Sequence, residues 1–314
     1  MASISPKNAS LRSSMFLIFF LLLPLSFLSA VKKELTIITT VFPLMEFSEA
    51  VSGGRGETFL LIPPGAEIHT WEPRPSDIVR LSSADLFIYI GADLEPWALD
   101  MLKSTKNPDL KVLEASKGLV LLEESHSGDD KDHSVSHTKH DPHIWLDFDY
   151  DQSILLRIAA MLSEIDPDGV DEYDRNASVY NERLKELDND YKRTLGKCKK
   201  RELFIGGHAA FGYLAKRYGL QQISLSGLSP DAAPTPRRMI EMIELARKKK
   251  IKVIFFESQV SVKLAKVLAE EIQAETMVLN PGVNISLEEK SEKITFIDIM
   301  KNNLKRLKDA LSCF

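Results

Sequence analysis

The stretch VDEYDRNASVYNERLKELDNDYKRTL, residues 170–195, decides how the chain is organised. Val170, Tyr173, Ala177, Tyr180, Leu184, Leu187, Tyr191 and Leu195 recur every three or four positions, and the residues between them are mostly charged. That period predicts one long amphipathic helix with a single apolar stripe. Asp171 and Glu172 in its first turn, and Lys199 and Lys200 past its end, suit the helix dipole. At 1.5 Å per residue it runs for about 40 Å, longer than a small domain is wide, as a link between two domains would.

On both sides of this helix the pattern is α/β. Before it, LTIITT (35–40), TFLLI (58–62), DLFIYIG (85–91) and KVLEA (111–115) read as strands, separated by helical segments near 43–52, 76–84 and 95–104. After it, strands at 202–207, 221–227, 252–258 and 275–280 alternate with helices at 209–219, 236–250 and 263–272, and Ile297, Met300, Leu304, Leu307 and Leu311 stripe a last helix. No hairpin signals join the strands, so mainly parallel sheets are expected. The predicted fold is α/β: two similar lobes joined by a long rigid linking helix, with a ligand cleft between them. The expected segments are an N-terminal lobe at 31–165, the linking helix at 166–198 and a C-terminal lobe at 199–314.

Residues 1–30 stand apart. Lys7 and Arg12 precede an apolar run from Met15 to Ala30, which reads as a secretory signal peptide cleaved near Ala30. The run is short for a spanning helix and Pro24 interrupts it. No cysteine follows it, so no lipid anchor is expected. Lys7 and Arg12 are its only charges, so its removal takes the net charge from −5 to −7. A mildly acidic chain with no basic face is a poor nucleic-acid binder. Export also permits a disulfide between the two cysteines, Cys198 and Cys313, if the fold brings them together.

The seven histidines are unevenly placed. His126, His133, His137 and His140 crowd into an acidic, almost wholly polar insertion at 122–142, which cannot pack as core. Such a tract binds metal weakly and can raise its concentration near a fixed site. His69, His143 and His208 each fall where a strand or loop changes direction, as ligands for a cleft between lobes should. Three neutral imidazoles and one oxygen complete a tetrahedron for Zn²⁺, whereas Mn²⁺ prefers more oxygen. Taken singly, each histidine has an ordinary alternative, a surface loop or a local hydrogen bond. Pro63, Pro64 and Gly65 stiffen the loop that presents His69, and Gly206 and Gly207 permit a close approach before His208. Trp71 and Trp145 are candidate walls of the site, and Asp147 is a candidate acceptor for His143.

At these residues the chain resembles the substrate-binding proteins of zinc and manganese ABC transporters. PPGAEIHTWEPRPSD (63–77), DPHIWLD (141–147) and GGHAAFGYLAKRYGL (206–220) match the family's three ligand segments in order, and VIFFESQVSVKLAKVLAEE (253–271) fits a later strand–helix unit. The resemblance implies a periplasmic, monomeric receptor that is not an enzyme and hands its ion to a membrane permease, with His69, His143 and His208 as ligands. The histidine-rich insertion and a histidine at the third position favour Zn²⁺ over Mn²⁺. One departure stands out: where the family often has an aspartate as fourth ligand, VLNPG places Asn280, a weaker oxygen donor. The fourth place then falls to Asn280 or water. Glu257 is read either as a fourth ligand or as an acceptor for an imidazole N–H.

Two other classes remain to be weighed. In a zinc hydrolase Glu257 would serve as base, but no HExxH, nucleophile elbow or phosphate loop accompanies it. A receptor for chelated iron or haem would recruit Arg74, Arg237 and Arg238, and would leave the histidines unexplained.

Overall fold

The β-branched run at 35–39 pairs on both sides, which is why so apolar a strand lies at the centre of its sheet. In the computed structural model, which describes residues 1–2, 34–123, 140–228, 234–257 and 263–314, β1 (Leu35–Thr39) lies between β2 (Gly56–Leu60) and β3 (Leu86–Tyr89). With β4 (Lys111–Glu114) they form a parallel sheet of order β2-β1-β3-β4. The strand expected at 58–62 begins two residues earlier, because Gly56 pairs with Leu35. A Cβ on Gly56 would lie 3.0 Å from the Leu35 carbonyl oxygen, so the position suits a residue that strand propensity discounts.

The second half repeats the plan. β5 (Glu202–Ile205), β6 (Gln221–Ser224), β7 (Val253–Phe256) and β8 (Glu275–Val278) make a parallel sheet of order β6-β5-β7-β8. The two lobes therefore share one strand order.

The helices of the first half are α1 (Phe42–Ser52), α2 (Pro75–Leu81), α3 (Ala98–Ser104) and α4 (Phe148–Ile165). The linking helix α5 (Val170–Leu195) follows a short 3₁₀ turn at Pro167–Gly169. The second half carries α6 (Gly212–Arg217), α7 (Pro236–Lys248), α8 (Lys263–Ile272), α9 (Leu287–Ser291) and α10 (Phe296–Ala310). The helix α4 is an element that the sequence periodicity above does not predict. Asp147 caps it by accepting from the Asp149 N–H. It runs back along α5, so the linking helix is half of a pair and not a free strut.

The predicted stripe is the buried one: Tyr173, Ala177, Tyr180, Leu184, Leu187, Tyr191 and Leu195 are all inside. They face α1 and α4 of the first half and α10 of the second. Each buried leucine contributes roughly 1.5–3 kcal/mol relative to exposure. One apolar cluster thus runs from Ile37 and Phe47 through α5 to Phe255 and Phe296. Separate outer clusters lie on the far faces of the two sheets, around Phe87 and around Phe204. Residues 34–314 accordingly form one compact unit. Cys198 and Cys313 are joined by a disulfide that ties the end of α5 to the chain's last turn, across a sequence separation of 115. Among the described residues no helix is long and apolar enough to cross a membrane.

Candidate metal centre

His69 is delivered by a loop braced against the second half. Gly65, at φ +80°, donates its N–H to the Ile285 carbonyl, and the Asn284 side chain donates to the carbonyls of Pro63 and Ala66, both at 3.0 Å. Asn284 is buried and is a supporting residue that the sequence did not single out. His143 opens the 3₁₀ turn Ile144–Leu146 ahead of α4. His208 follows β5 by three residues and precedes α6. The helix expected from residue 209 starts later, because Ala209 donates to the Gly227 carbonyl instead of joining a helical turn.

The three histidines meet at the junction of the lobes. Each offers a ring nitrogen, and the three nitrogens lie within 4.8 Å of one another. Among the described residues they are the one group of metal-capable side chains so arranged. Nε2 of His143 and Nε2 of His208 are 3.2 Å apart. The site opens into a recess of about 400 Å³, counting the space that runs out to solvent. Among the described residues, Glu67, Glu257, Asn280 and Asn284 line it with the histidines, and Arg74, Arg237 and Arg238 are not in its lining. His143 and His208 are buried and His69 is half-buried. Burial, reinforced by the two neighbouring imidazoles, pushes the His69 pKa down to about 3. It is therefore a neutral donor at physiological pH, the form a metal requires.

Each buried imidazole has a carboxylate behind it. Asp141 Oδ1 lies 2.7 Å from His143 Nδ1 and also accepts the His143 backbone N–H at 3.0 Å. This bond leaves Nε2 as the nitrogen facing the other histidines. The sequence had offered Asp147 for this role. Asp147 instead caps α4 and pairs with Arg217 at 2.7 Å. Asp141 has a signal that went unused: a carboxylate two residues before a backbone N–H closes an Asx turn. Behind His208, Glu257 Oε1 sits 2.7 Å from Nδ1, yet off the N–H direction, so the two make a close polar contact and not a straight hydrogen bond. A Cβ on Gly207 would reach within 3.0 Å of that same oxygen, and one on Gly206 within 2.6 Å of the Ala265 Cβ. Both glycines therefore serve close approach.

Asn280 lines the recess with its polar groups already engaged. Its Oδ1 accepts from the Gly282 N–H at 2.8 Å, its Nδ2 donates to Glu289, and Asn303 brackets its backbone N–H and carbonyl. Glu67, passed over in the sequence, accepts the His69 N–H at 3.2 Å. Trp145 packs edge-on against His143, with ring centroids 5.3 Å apart, and donates to the Pro281 carbonyl. Trp71 pairs with Trp97 instead of walling the site. His126, His133 and His137 lie outside the described residues. His140, at the end of the insertion, bridges Glu123 as an isolated antiparallel pair.

Two parallel lobes of like topology, with a three-histidine cluster at their junction, define a class of metal-binding receptor. Residues 37–310 match the family described as ZnuA, zinc-uptake complex component A, periplasmic. A high-affinity zinc uptake system protein ZnuA of Bacillus subtilis (strain 168) is 40% identical over 286 residues, covering 88% of each chain. The zinc-binding lipoprotein AdcA of Streptococcus pneumoniae R6 is 36% identical over 278 residues, 88% of this chain but 55% of that longer protein. The crystal structure of the Zn(II)-bound ZnuA-like domain of pneumococcal AdcA superposes with a TM-score of 0.76 at 34% identity, covering 88% of this chain and 99% of that domain. The chain belongs to the ZnuA/AdcA family of zinc-binding ABC-transporter receptors.

This membership corrects one expectation. The absence of a lipid anchor was inferred from a missing cysteine, but the pneumococcal relative is a lipoprotein. A lipid tether leaves lobes and site unchanged, and it holds a receptor close to its membrane partner, so the fold gives no reason against one.

Proposed function

We propose that this protein captures Zn²⁺ with high affinity outside the cytoplasm and delivers it to an ABC-type permease for import. Members of its family are transport receptors and not enzymes. The observation that carries the reading is the convergence of three imidazoles from three distant segments on one point. We assign His69, His143 and His208 as the ligands and water as the fourth. The engaged side chain of Asn280 argues against its serving, and the contact of Glu257 with His208 favours a supporting role. A donor set of nitrogen favours Zn²⁺ over Mn²⁺. We further assign residues 1–30 as a signal peptide cleaved near Ala30, and the lobes and linker as 31–165, 166–198 and 199–314. The histidines of the insertion then act as accessory groups that concentrate the ion.

Competitive metal titration with elemental analysis tests this. One tightly held Zn²⁺ per chain is expected, retained against excess Mn²⁺ and after deletion of 122–140. Replacing His143 or His208 by alanine should weaken it by more than the roughly hundredfold seen at the upper end for outer partners. Tight binding that survives both replacements would remove the assignment.

A further inference from the structure

The segment Asp141–Asp147 carries a ligand of the first half and bonds to Leu122 there, yet it is also held by the second half at both ends. At its start, the Tyr213 hydroxyl donates to the Asp141 carbonyl at 2.8 Å and accepts the Leu122 N–H at 3.0 Å. Tyr213 is 2% exposed, so water offers the phenol no alternative partner. At the segment's end, Arg217 holds Asp147 and Asp149 with Nη1, each at 2.7 Å, and grips Asp188 on α5 with Nε and Nη2, each at 2.8 Å. Tyr213 and Arg217 are both on α6, one turn apart on the same face. Gly212, the first residue of α6, touches the segment as well: a Cβ there would lie 2.5 Å from Asp141 Oδ2. The helix that makes these contacts begins four residues after His208.

We propose that α6 is a two-point clamp that sets the separation of His143 and His208, with Tyr213 and Arg217 as positioning residues for the zinc centre. This rests on the three-histidine reading above. Zn–N bonds near 2.0–2.1 Å leave little slack, so a shift of a few tenths of an ångström in either imidazole weakens the site. Each imidazole is held from behind, by Asp141 or Glu257, and the Asp141 support is itself anchored on α6 through its carbonyl and its close packing on Gly212. The two ligands therefore form one body, although they come from different lobes. Tyr213 acts by geometry: its one hydroxyl bonds both Leu122 and Asp141, which also pair directly through the Asp141 N–H and the Leu122 carbonyl at 2.7 Å, and a phenylalanine would remove the tie of that pair to α6.

The test uses the whole exported chain and three substitutions, Tyr213→Phe, Gly212→Ala and, as a control, Tyr191→Phe. The control removes a hydroxyl that is equally buried but bonds the Met300 carbonyl in the helical core. Three quantities are read: the zinc Kd by chelator competition, the visible absorption of the Co²⁺-substituted site and the melting temperature of the metal-free chain. Tyr213→Phe should raise the zinc Kd roughly three- to tenfold, the equivalent of one hydrogen bond, and alter the cobalt band. Gly212→Ala should do the same by displacing Asp141 with no donor lost. Tyr191→Phe should lower the melting temperature and leave Kd and cobalt band unchanged. If both α6 variants match the parent in Kd within twofold, or in cobalt band, α6 is packing only and the clamp is wrong, whatever their melting temperatures. A parent chain that holds no zinc would instead sink the three-histidine reading itself.

Discussion

Replacing Asp141 by asparagine isolates one charge. The variant keeps the size of the side chain, the Oδ1 that accepts the His143 backbone N–H, and the carbonyl that Tyr213 holds. Only the carboxylate behind His143 Nδ1 changes, from an anion 2.7 Å away to a neutral amide. Asp141 is 4% exposed, so solvent screens the interaction little. A hydrogen bond to a charged group contributes about 1.5–3 kcal/mol and a neutral one about 1. The difference, about 0.5–2 kcal/mol, corresponds to roughly a two- to thirtyfold loss of zinc affinity. Losses of about 10–100-fold on removing the partner of a metal-bound histidine are of the same order. The assay is chelator competition at fixed pH and ionic strength, with the melting temperature of the metal-free chain as a check on folding. Glu257→Gln in the same assay should cost less, because its contact with His208 lies off the N–H direction. Affinity of the Asp141→Asn chain indistinguishable from the parent would mean that the carboxylate charge does not support His143, and a larger loss for Glu257→Gln would reverse the assigned order.

Further outcomes follow from the same structure. His69 has its pKa pushed down to about 3, below the usual 6.5, so between those values the unfolded chain binds the proton and the folded chain does not. The metal-free protein should therefore lose stability as pH falls from about 6.5 toward 3; a His69→Gln chain with an equally steep acid slope in its melting temperature would count against this. Reducing the Cys198–Cys313 bond, which closes a separation of 115 residues, should cost about 2–4 kcal/mol in denaturant unfolding, and an unchanged midpoint would contradict it. Gly206→Ala drives a Cβ to 2.6 Å from that of Ala265, so a loss of about 1–3 kcal/mol is expected from the same unfolding curves, and a neutral result would mean that α8 yields freely.

Local periodicity carried most of the architecture. The stripe on α5 is buried as its spacing required, because a helix that long can hide its apolar face only against other elements. The eight strands were found, with ends wrong by a few residues wherever a contact outside the strand decided pairing, as at Gly56. The omission of α4 had a consequence at the site. With no helix expected to start at 148, Asp147 had no capping duty to perform and was given to His143 instead.

The two α/β halves, the helix between them, and three histidines at chain reversals are legible from residue types at short spacing. Packing in three dimensions sets which carboxylate stands behind which imidazole, that Asn280 spends its side chain on its own turn, that α6 grips the His143 segment, and that Cys198 meets Cys313. These pairings join residues that are near in sequence to several equal candidates, or far from all of them. Chemistry alone leaves such candidates equivalent, and the packing of the two lobes about α5 makes one of them close.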